Sequence, residues 1–290
     1  MTGRAARGGR LSDRQRRLLE ALHRRKGREK HGLFLVEGPR LVAEALAARW
    51  ALEEVFFDPD GEVESVRRLL SDLERSGVPR FAVTSCELRA AAGTVTPQGI
   101  LATARRPEVD LAAALRRARG TVLIVDGVQD PGNVGALLRT ADAYGVSPVL
   151  LLRGTADPLN PKAIRGAMGA IFHIEVAAEL DAEAALDLVA ARGFRLLGAV
   201  PRGGREPEAI PAGARRALAV GGEGGGLSAR LLARRPELVT IRTPGRAESL
   251  NVVVAAGILL DRLCRPPARL RRSRPAAPLP PGPAPDSSAS

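Results

Sequence analysis

The residues best suited to chemistry lie in three short polar segments, each of which follows a predicted strand. The first segment, residues 130–135, reads DPGNVG and separates an apolar strand from a helix. We expect Asn133 to cap that helix, because its side-chain oxygen can accept from free backbone N–H groups. Arg139 lies six residues further on, and its planar guanidinium could clamp a phosphate. Taken alone, this segment is also compatible with a structural cap and a surface arginine.

The second segment is a glycine-rich loop at residues 221–228, with the sequence GGEGGGLS. Its five glycines allow the backbone to approach a ligand and to adopt positive φ angles, and Glu223 adds one carboxylate. Ser228 is predicted to cap the next helix. The loop lacks the Gly-Lys-Ser/Thr of a P-loop and comes too late for a dinucleotide-binding fingerprint. A ligand-binding loop and a flexible turn both remain open.

The third segment, residues 243–251, reads TPGRAESLN and leads into an apolar helix. Either Ser249 or Asn251 can cap that helix. Capping explains one of these two polar side chains, but not both of them after a Pro-Gly turn. The segment is therefore a third candidate for a ligand-contacting loop.

Strands and helices alternate along most of the chain, which indicates an α/β fold. The C-terminal strands are apolar without in/out alternation, as expected for a parallel sheet covered on both faces. Ligands bind outside the carboxyl ends of such strands, where the three polar segments lie. These strands are predicted at 122–125, 149–152, 171–176, 194–200, 217–220 and 239–242, with helices that include 134–144 and 252–263.

A smaller α/β unit precedes this domain. Its first helix begins at Pro39, since the missing N–H of proline is not needed at a helix start, and a second helix ends before Gly77. A polar stretch at 105–110 separates the two units, and a basic helix is predicted at 11–22. The strands of this unit are predicted at 34–37, 55–57, 81–83 and 99–103.

The formal net charge of +12 is concentrated at the two ends of the chain. Residues 1–30 carry 11 Lys/Arg against 3 Asp/Glu, and residues 265–290 carry 5 against 1, whereas the middle is balanced. Two basic arms favour binding to a polyanion, with nucleic acid as the first candidate. Arginine-rich ends that serve only solubility are the alternative.

Composition excludes several classes of function. Two distant cysteines and three histidines argue against a disulfide scaffold, a zinc site or histidine-based chemistry. No apolar run is long enough to cross a bilayer, and no secretory signal follows the basic N-terminus. We therefore expect a cytoplasmic protein, although the Arg-rich start also resembles a transit peptide.

The segments NVGALLRTADAYG, GGEGGGLS and TPGRAESLNVVVAAGILL resemble, in this order, the three motifs of the SpoU (TrmH-type) RNA ribose methyltransferases of the SPOUT class. That resemblance covers about residues 120–264. The segment FLVEGPRLVAEAL is similar to the ribosomal-protein-like RNA-binding domain attached to many of these enzymes, which we expect at 31–104. The other predicted parts are a basic arm at 1–30, a linker at 105–119 and a disordered tail at 265–290.

The resemblance implies transfer of a methyl group from S-adenosylmethionine to a ribose 2′-hydroxyl, by a domain whose C-terminal loops form a trefoil knot. It assigns a catalytic role to Arg139, Asn133, Glu223, Ser249 and Asn251. It assigns cofactor binding to Gly198, Gly221, Gly226, Ile241 and Leu250. Whether the arginine accepts the hydroxyl proton stays open, because a guanidinium holds its own proton strongly.

The resemblance also implies a homodimer that acts on RNA without a metal. Ribosomal RNA is expected rather than transfer RNA because of the additional N-terminal domain, by analogy alone. Two other functions remain open, namely a non-catalytic RNA-binding protein on the same scaffold and an unrelated enzyme that binds a nucleotide at the glycine-rich loop. The chain departs from the family pattern at Gly222, Arg242 and Met168, and the first two departures could change the shape of the cofactor pocket.

Overall fold

The N-terminal part of the chain is a small α/β domain. The computed structural model describes residues 9–60, 64–92, 98–211 and 215–264. The strands of this domain are β1 (Leu33–Glu37), β2 (Leu52–Phe57), β3 (Arg80–Ala82) and β4 (Ile100–Arg105). Its helices are α1 (Asp13–Leu22), α2 (Arg25–His31), α3 (Pro39–Ala47), α4 (Glu64–Arg75) and α5 (Ser85–Ala92).

The sheet of this domain has the order β1-β4-β2-β3 and is covered on both faces. Strand β4 pairs antiparallel with β1 and β2, whereas β2 and β3 are parallel. Apolar side chains of α3 and α4 pack on one face, and those of α1 and α5 pack on the other. Pro39 is the first residue of α3, which confirms the helix start predicted there.

Helix α1 and all but the last residue of α2 lie within residues 1–30, which the sequence predicts to be a basic arm. Ser12 and Gln15 form a capping box that begins α1, and Leu19 and Leu22 are completely buried against the sheet. Arg28 of α2 is also buried. The part of the predicted arm from Asp13 onward is therefore packed against the small domain, because its few leucines fall on one face of the helix.

The C-terminal domain is a parallel sheet with helices on both faces, which confirms the predicted architecture. Its strands are β5 (Thr121–Asp126), β6 (Val149–Leu152), β7 (Val176–Leu180), β8 (Arg195–Ala199), β9 (Arg216–Gly221) and β10 (Glu237–Val239). Its helices are α6 (Leu111–Arg117), α7 (Pro131–Ala143), α8 (Pro161–Ala167), α9 (Ala182–Ala191), α10 (Ala229–Ala233) and α11 (Val252–Cys264).

The strand order in this sheet is β10-β8-β9-β5-β6-β7, and every neighbouring pair is parallel. All residues of β5 are buried, as the absence of alternation in its sequence indicates. Apolar residues of α7, α8 and α11 cover one face, and those of α6, α9 and α10 cover the other. Helix α6 lies inside the predicted linker 105–119, which is thus partly a packed element.

The two domains contact each other through ion pairs and aromatic side chains. The buried guanidinium of Arg28 donates to Asp157 of the C-terminal domain and to two carbonyl oxygens of its own domain. Trp50 packs edge-on against Phe172, with ring centroids 5.3 Å apart. The core of the α7 face is continuous with that of the small domain. These contacts fix one arrangement of the two domains.

Two of the predicted strands differ from the structure. The strand predicted at 171–176 is wrong, because Ala170–Phe172 form a 3-10 turn and β7 begins only at Val176. This apolar run is buried between the domains rather than paired along its length. Strand β10 ends at Val239, three residues before the predicted end. The trefoil knot stays a prediction, and the tail 265–290 lies outside the described residues.

None of the helices in the described part of the chain combines the length and the apolar character that a membrane span needs. The same residues contain no group of three or more His, Cys, Asp or Glu side chains that could hold a metal ion.

Candidate active site

The three polar segments leave the C-terminal sheet from one edge. Strands β10, β8, β9 and β5 are consecutive neighbours and parallel, so their carboxyl ends lie side by side. The loop after β5 leads into α7, the glycine-rich loop follows β9, and residues 240–251 connect β10 to α11. The topology therefore places the three segments at the position where ligands bind in open α/β sheets.

Asn133 and Glu223 are in direct contact at this edge. The Nδ2 group of Asn133, in the first turn of α7, donates a hydrogen bond to Oε1 of Glu223 in the glycine-rich loop. The two residues are 90 positions apart in sequence, and the pairing of β5 with β9 brings them together. Among the described residues, Glu223 has no other hydrogen-bond partner, so its second oxygen can accept from a ligand.

The cap of α7 is Asp130, and the prediction that Asn133 caps this helix is wrong. Asp130 accepts from the backbone N–H groups of Gly132 and Asn133, and Pro131 occupies the first helical position. Asn133 is the third residue of the helix, which leaves its side chain available for Glu223. By contrast, Ser228 caps α10 as predicted.

Lys162 of α8 extends this polar group. Its Nζ lies 2.9 Å from Oδ2 of Asp130. The Lys162 ammonium, together with the N–H groups that Asp130 caps, holds the pKa of Asp130 below its ordinary value. A continuous polar path thus runs from Lys162 through Asp130 and the first turn of α7 to Glu223.

The glycine-rich loop is shaped by close backbone contacts. A Cβ atom on Gly221 would lie 2.1 Å from the carbonyl carbon of Gly226, and one on Gly222 would lie 2.5 Å from the carbonyl oxygen of Gly127. Gly226 adopts a φ of 63° and donates to the carbonyl oxygen of Gly222 at 2.9 Å. The departure from the family pattern at Gly222 therefore fits this chain, because a larger residue would force the backbone apart.

The residues predicted to bind the cofactor all lie in or beyond strands β8, β9 and β10. Gly198 is close-packed, since a Cβ there would lie 2.9 Å from a side-chain carbon of Leu227. Ile241 and Leu250 are half-buried and apolar. In the described part of the chain, the backbone of residues 242–250 makes no hydrogen bond to another residue. Apolar side chains beside free backbone N–H and C=O groups fit an adenosine-containing ligand.

Among the described residues, the other three residues predicted to act in catalysis form no hydrogen bond or ion pair with one another. Arg139 is exposed on α7 and, among the described residues, forms neither an ion pair nor a hydrogen bond, so it is not hydrogen-bonded to Asn133 or Glu223. Asn251 caps α11 through its Oδ1, which accepts from the N–H groups of Val253 and Val254. Ser249 is exposed in the loop before that cap. Its side chain is not needed to cap the helix.

Two family models match this chain, one in each domain. The model of the SpoU rRNA Methylase family matches residues 120–261, and the model of the MRM3-like substrate binding domain matches residues 15–102. The first match contains all the elements that surround the candidate site. The second begins within α1, in agreement with the packing of that helix on the small domain.

A curated relative decides the family. The 23S rRNA (guanosine(2553)-2′-O)-methyltransferase RlmP of Bacillus subtilis (strain 168) is 39% identical to this chain over 242 residues, which cover 83% of the chain and 92% of RlmP. The chain belongs to the SpoU family. This confirms the resemblance seen in the three motifs. The small domain of this chain matches the MRM3-like substrate binding domain.

Solved structures agree with this assignment. The AdoMet-bound rRNA methyltransferase from Sinorhizobium meliloti is 27% identical, superimposes with a TM-score of 0.77, and is matched over 87% of this chain and 95% of its own. The SpoU methyltransferase AviRb from Streptomyces viridochromogenes has a TM-score of 0.79 at 24% identity, over 88% and 97% of the two chains. This second likeness supports the fold.

The two other departures from the family pattern take no part in the contact between Asn133 and Glu223. Met168 ends α8 in a left-handed conformation, with its side chain partly exposed. The side chain of Arg242 is 87% exposed and lies 4.0 Å from Glu206.

Sequence reasoning missed three charged residues at the site: Asp126, Asp130 and Lys162. Signals for the first two were present. Asp126 ends an otherwise apolar strand, and Asp130 precedes the proline that starts α7. The position of Lys162 follows only from the packing of α8 beside α7.

Proposed function

We propose that this family member transfers a methyl group from S-adenosylmethionine to a ribose 2′-hydroxyl of ribosomal RNA. The observation that carries the proposal is the contact between Asn133 and Glu223, because it joins two of the three motif segments into one polar site. The names of two similar proteins support the reaction: RlmP is an rRNA 2′-O-methyltransferase, and the Sinorhizobium meliloti structure contains AdoMet.

The cofactor fits the loops that follow β8, β9 and β10. Ile241 and Leu250 supply apolar surface, and the free backbone groups of residues 242–250 supply hydrogen bonds. Gly198, Gly221 and Gly226 let these loops approach one another. When bound, S-adenosylmethionine supplies a sulfonium methyl group that is open to attack by an oxygen nucleophile.

The polar residues orient the hydroxyl that reacts. Glu223 is held by Asn133 and has a free oxygen that can accept from a ribose hydroxyl. The guanidinium of Arg139 on α7 has no partner among the described residues and suits a phosphate or the developing charge on the 2′-oxygen. Ser249 lies in the loop before α11, and Asn251 caps that helix. Bound S-adenosylmethionine would supply the methyl group for a new bond to the 2′-oxygen in place of its bond to sulfur, and the hydroxyl proton would pass to solvent.

The substrate-binding domain favours ribosomal RNA as the partner. Its family model is named for substrate binding, and the relative RlmP acts on 23S rRNA. Aromatic residues are 3% of the chain, so recognition relies on RNA shape and phosphate contacts rather than extensive base stacking. The site, the cofactor loops and the substrate-binding domain argue against a non-catalytic RNA-binding protein.

We further propose that the enzyme is a cytoplasmic homodimer. The resemblance in the methyltransferase motifs supports a dimer. The bacterial relative RlmP supports a cytoplasmic location.

Methyl transfer from labelled S-adenosylmethionine to total rRNA of a strain lacking this protein tests the proposal. We expect label on a 2′-oxygen, which is mapped by protection of the adjacent phosphodiester bond from alkaline cleavage. Arg139→Ala should lower kcat by about 100-fold, in the range found when a group that stabilises developing charge is removed, and leave cofactor affinity unchanged.

Arg230→Ala is the matched control, because Arg230 lies on α10 at the opposite face of the sheet. It should transfer methyl groups at the wild-type rate. Near-normal transfer by folded Arg139→Ala would remove Arg139 from the reaction, and absence of cofactor binding by the wild-type protein would overturn the proposed function.

A further inference from the structure

Asp126 is a buried carboxylate that the proposed reaction does not use. It is the last residue of β5, where the preceding residues from Val122 to Val125 are completely buried and apolar. Only 5% of Asp126 is exposed. Burial of a charged group is unfavourable unless it is compensated by hydrogen bonds, so its contacts identify what it does.

Asp126 holds the glycine-rich loop at both ends. Its backbone carbonyl oxygen accepts from the N–H of Gly222 at 3.0 Å, and its side-chain Oδ2 accepts from the N–H of Ser228 at 2.7 Å. These two residues flank Glu223 and the three glycines that follow it. One residue at the end of the central strand thus closes the loop that carries the candidate catalytic carboxylate.

The hydrogen bond from the N–H of Gly226 to the carbonyl oxygen of Gly222 closes the tip of the loop on itself, and Asp126 ties this turn to the central strand. A Cβ atom added to Gly224 or to Gly225 would meet no other atom within 4 Å, and glycine backbones have high conformational freedom. The buried side chain of Leu227 anchors the loop on one side only. A carboxylate on such a loop needs a fixed closing contact to keep its position against Asn133.

The contact is not required to cap the following helix. Ser228 begins α10, and its own hydroxyl accepts from the N–H of Leu231 at 3.3 Å. The hydrogen bond from Ser228 N–H to Asp126 therefore serves the loop rather than the helix.

We propose that Asp126 is a positioning residue for methyl transfer, which acts through the glycine-rich loop to hold Glu223 against Asn133. This inference rests on the proposed function of the site. Asp126 does not touch the substrate, and its effect is on the geometry of Glu223. Small displacements of a positioned catalytic group cause large losses of rate.

The test compares Asp126→Ala with Asp126→Asn in the full-length protein. Asparagine keeps an oxygen that can accept from the N–H of Ser228, whereas alanine removes it. We expect Asp126→Ala to lower kcat for unmodified 23S rRNA by about 10-fold to 100-fold with little change in KM, and Asp126→Asn to recover most of that loss. If the alanine variant does not fold, Asp126→Ser, whose shorter side chain withdraws from Ser228, takes its place.

A double-mutant cycle with Glu223→Gln separates positioning from general stability. If Asp126 acts through Glu223, Asp126→Ala should cost little further activity once Glu223 has been replaced. Thr103→Val is the matched control, because Thr103 is a buried polar strand residue in the other domain. It should lower the urea midpoint without lowering kcat.

Hydrogen exchange gives a readout that does not depend on activity. The amides of residues 222–228 should exchange faster in Asp126→Ala and at the wild-type rate in Thr103→Val. Unchanged exchange in this loop, or an equal loss of kcat with and without Glu223, would overturn the inference. Inactivity of the wild-type protein would instead contradict the proposed function, and the exchange result would still decide the role of Asp126.

Discussion

Two polar pairs, Asp130 with Lys162 and Asn133 with Glu223, share the first turn of α7. Asp130 binds Lys162 and the N–H of Asn133, while the side chain of Asn133 binds Glu223. The cap therefore fixes the backbone from which the amide reaches the glycine-rich loop. The candidate site is therefore a chain of hydrogen bonds. Asp130 does not bind Glu223 itself but holds Asn133, which does.

The lowered pKa of Asp130 makes a pH-dependent contribution to stability. A carboxylate whose pKa is lower in the folded than in the unfolded state stabilises the fold above its unfolded value, and this contribution is lost as the pH falls through the folded value. Asp130→Asn should lower the urea midpoint at pH 7, and its difference from the wild type should shrink below about pH 4.

Asp181→Asn is the control for this prediction. Asp181 caps α9 and also has a lowered pKa, but backbone N–H groups are the main cause, and its ion-pair partner Arg153 is 3.5 Å away. Since asparagine also caps helices, the urea midpoint of Asp181→Asn at pH 7 should lie closer to that of the wild type than the midpoint of Asp130→Asn does. If the urea midpoints of Asp130→Asn and the wild type differ by the same amount from pH 7 to pH 3, the prediction is wrong.

At the scale of elements, α7 and α8 pack through glycines. A Cβ on Gly135 would lie 2.2 Å from the carbonyl oxygen of Ala163 and 2.9 Å from the backbone nitrogen of Ala167. Gly166 packs from the other side against the backbone of Gly132. This close approach is what brings Lys162 over the start of α7.

Gly135→Ala should therefore separate the two helices. Because the obstructing atoms belong to the backbone, we expect a loss of about 1–3 kcal/mol in the free energy of unfolding, despite the higher helix propensity of alanine. Gly245→Ala is the control, since a Cβ there meets no atom within 4 Å. Equal urea midpoints for the two variants would show that the contact between α7 and α8 tolerates an added methyl group.

Local sequence signals predicted the elements that depend on local chemistry. Pro39 marked the start of α3, and the apolar strand at 122–125 proved to be the centre of the parallel sheet. The strand predicted at 171–176 was wrong, because an apolar stretch buried between domains has no periodicity that distinguishes a turn from a strand. The contact of Asn133 with Glu223 could be expected only from the motif resemblance, since strand pairing 90 positions apart creates it.

At the scale of the whole molecule, the packing of α2 changes how the basic N-terminal segment can act. The ion pair of Arg28 with Asp157 joins residues 129 positions apart in sequence, so no local sequence pattern predicts it. The side chain of Arg28 is only 3% exposed. Removal of one partner of a buried ion pair is strongly destabilising, so deletion of residues 1–30 would disturb the fold as well as remove charge.

The contribution of this segment to RNA binding is instead tested with exposed arginines. Arg14, Arg17 and Arg24 are exposed and, among the described residues, have no ion-pair partner. If each contacts a phosphate, replacing all three with glutamine should weaken binding to unmodified ribosomal RNA. The slope of log K against log salt should fall by about two to three, because each phosphate that loses its contact keeps its counterion. Replacement of Arg116 and Arg230, on the opposite face of the methyltransferase domain, should leave that slope unchanged. Equal slopes for the two variants would show that the helices α1 and α2 serve the fold of the substrate-binding domain and do not contact RNA.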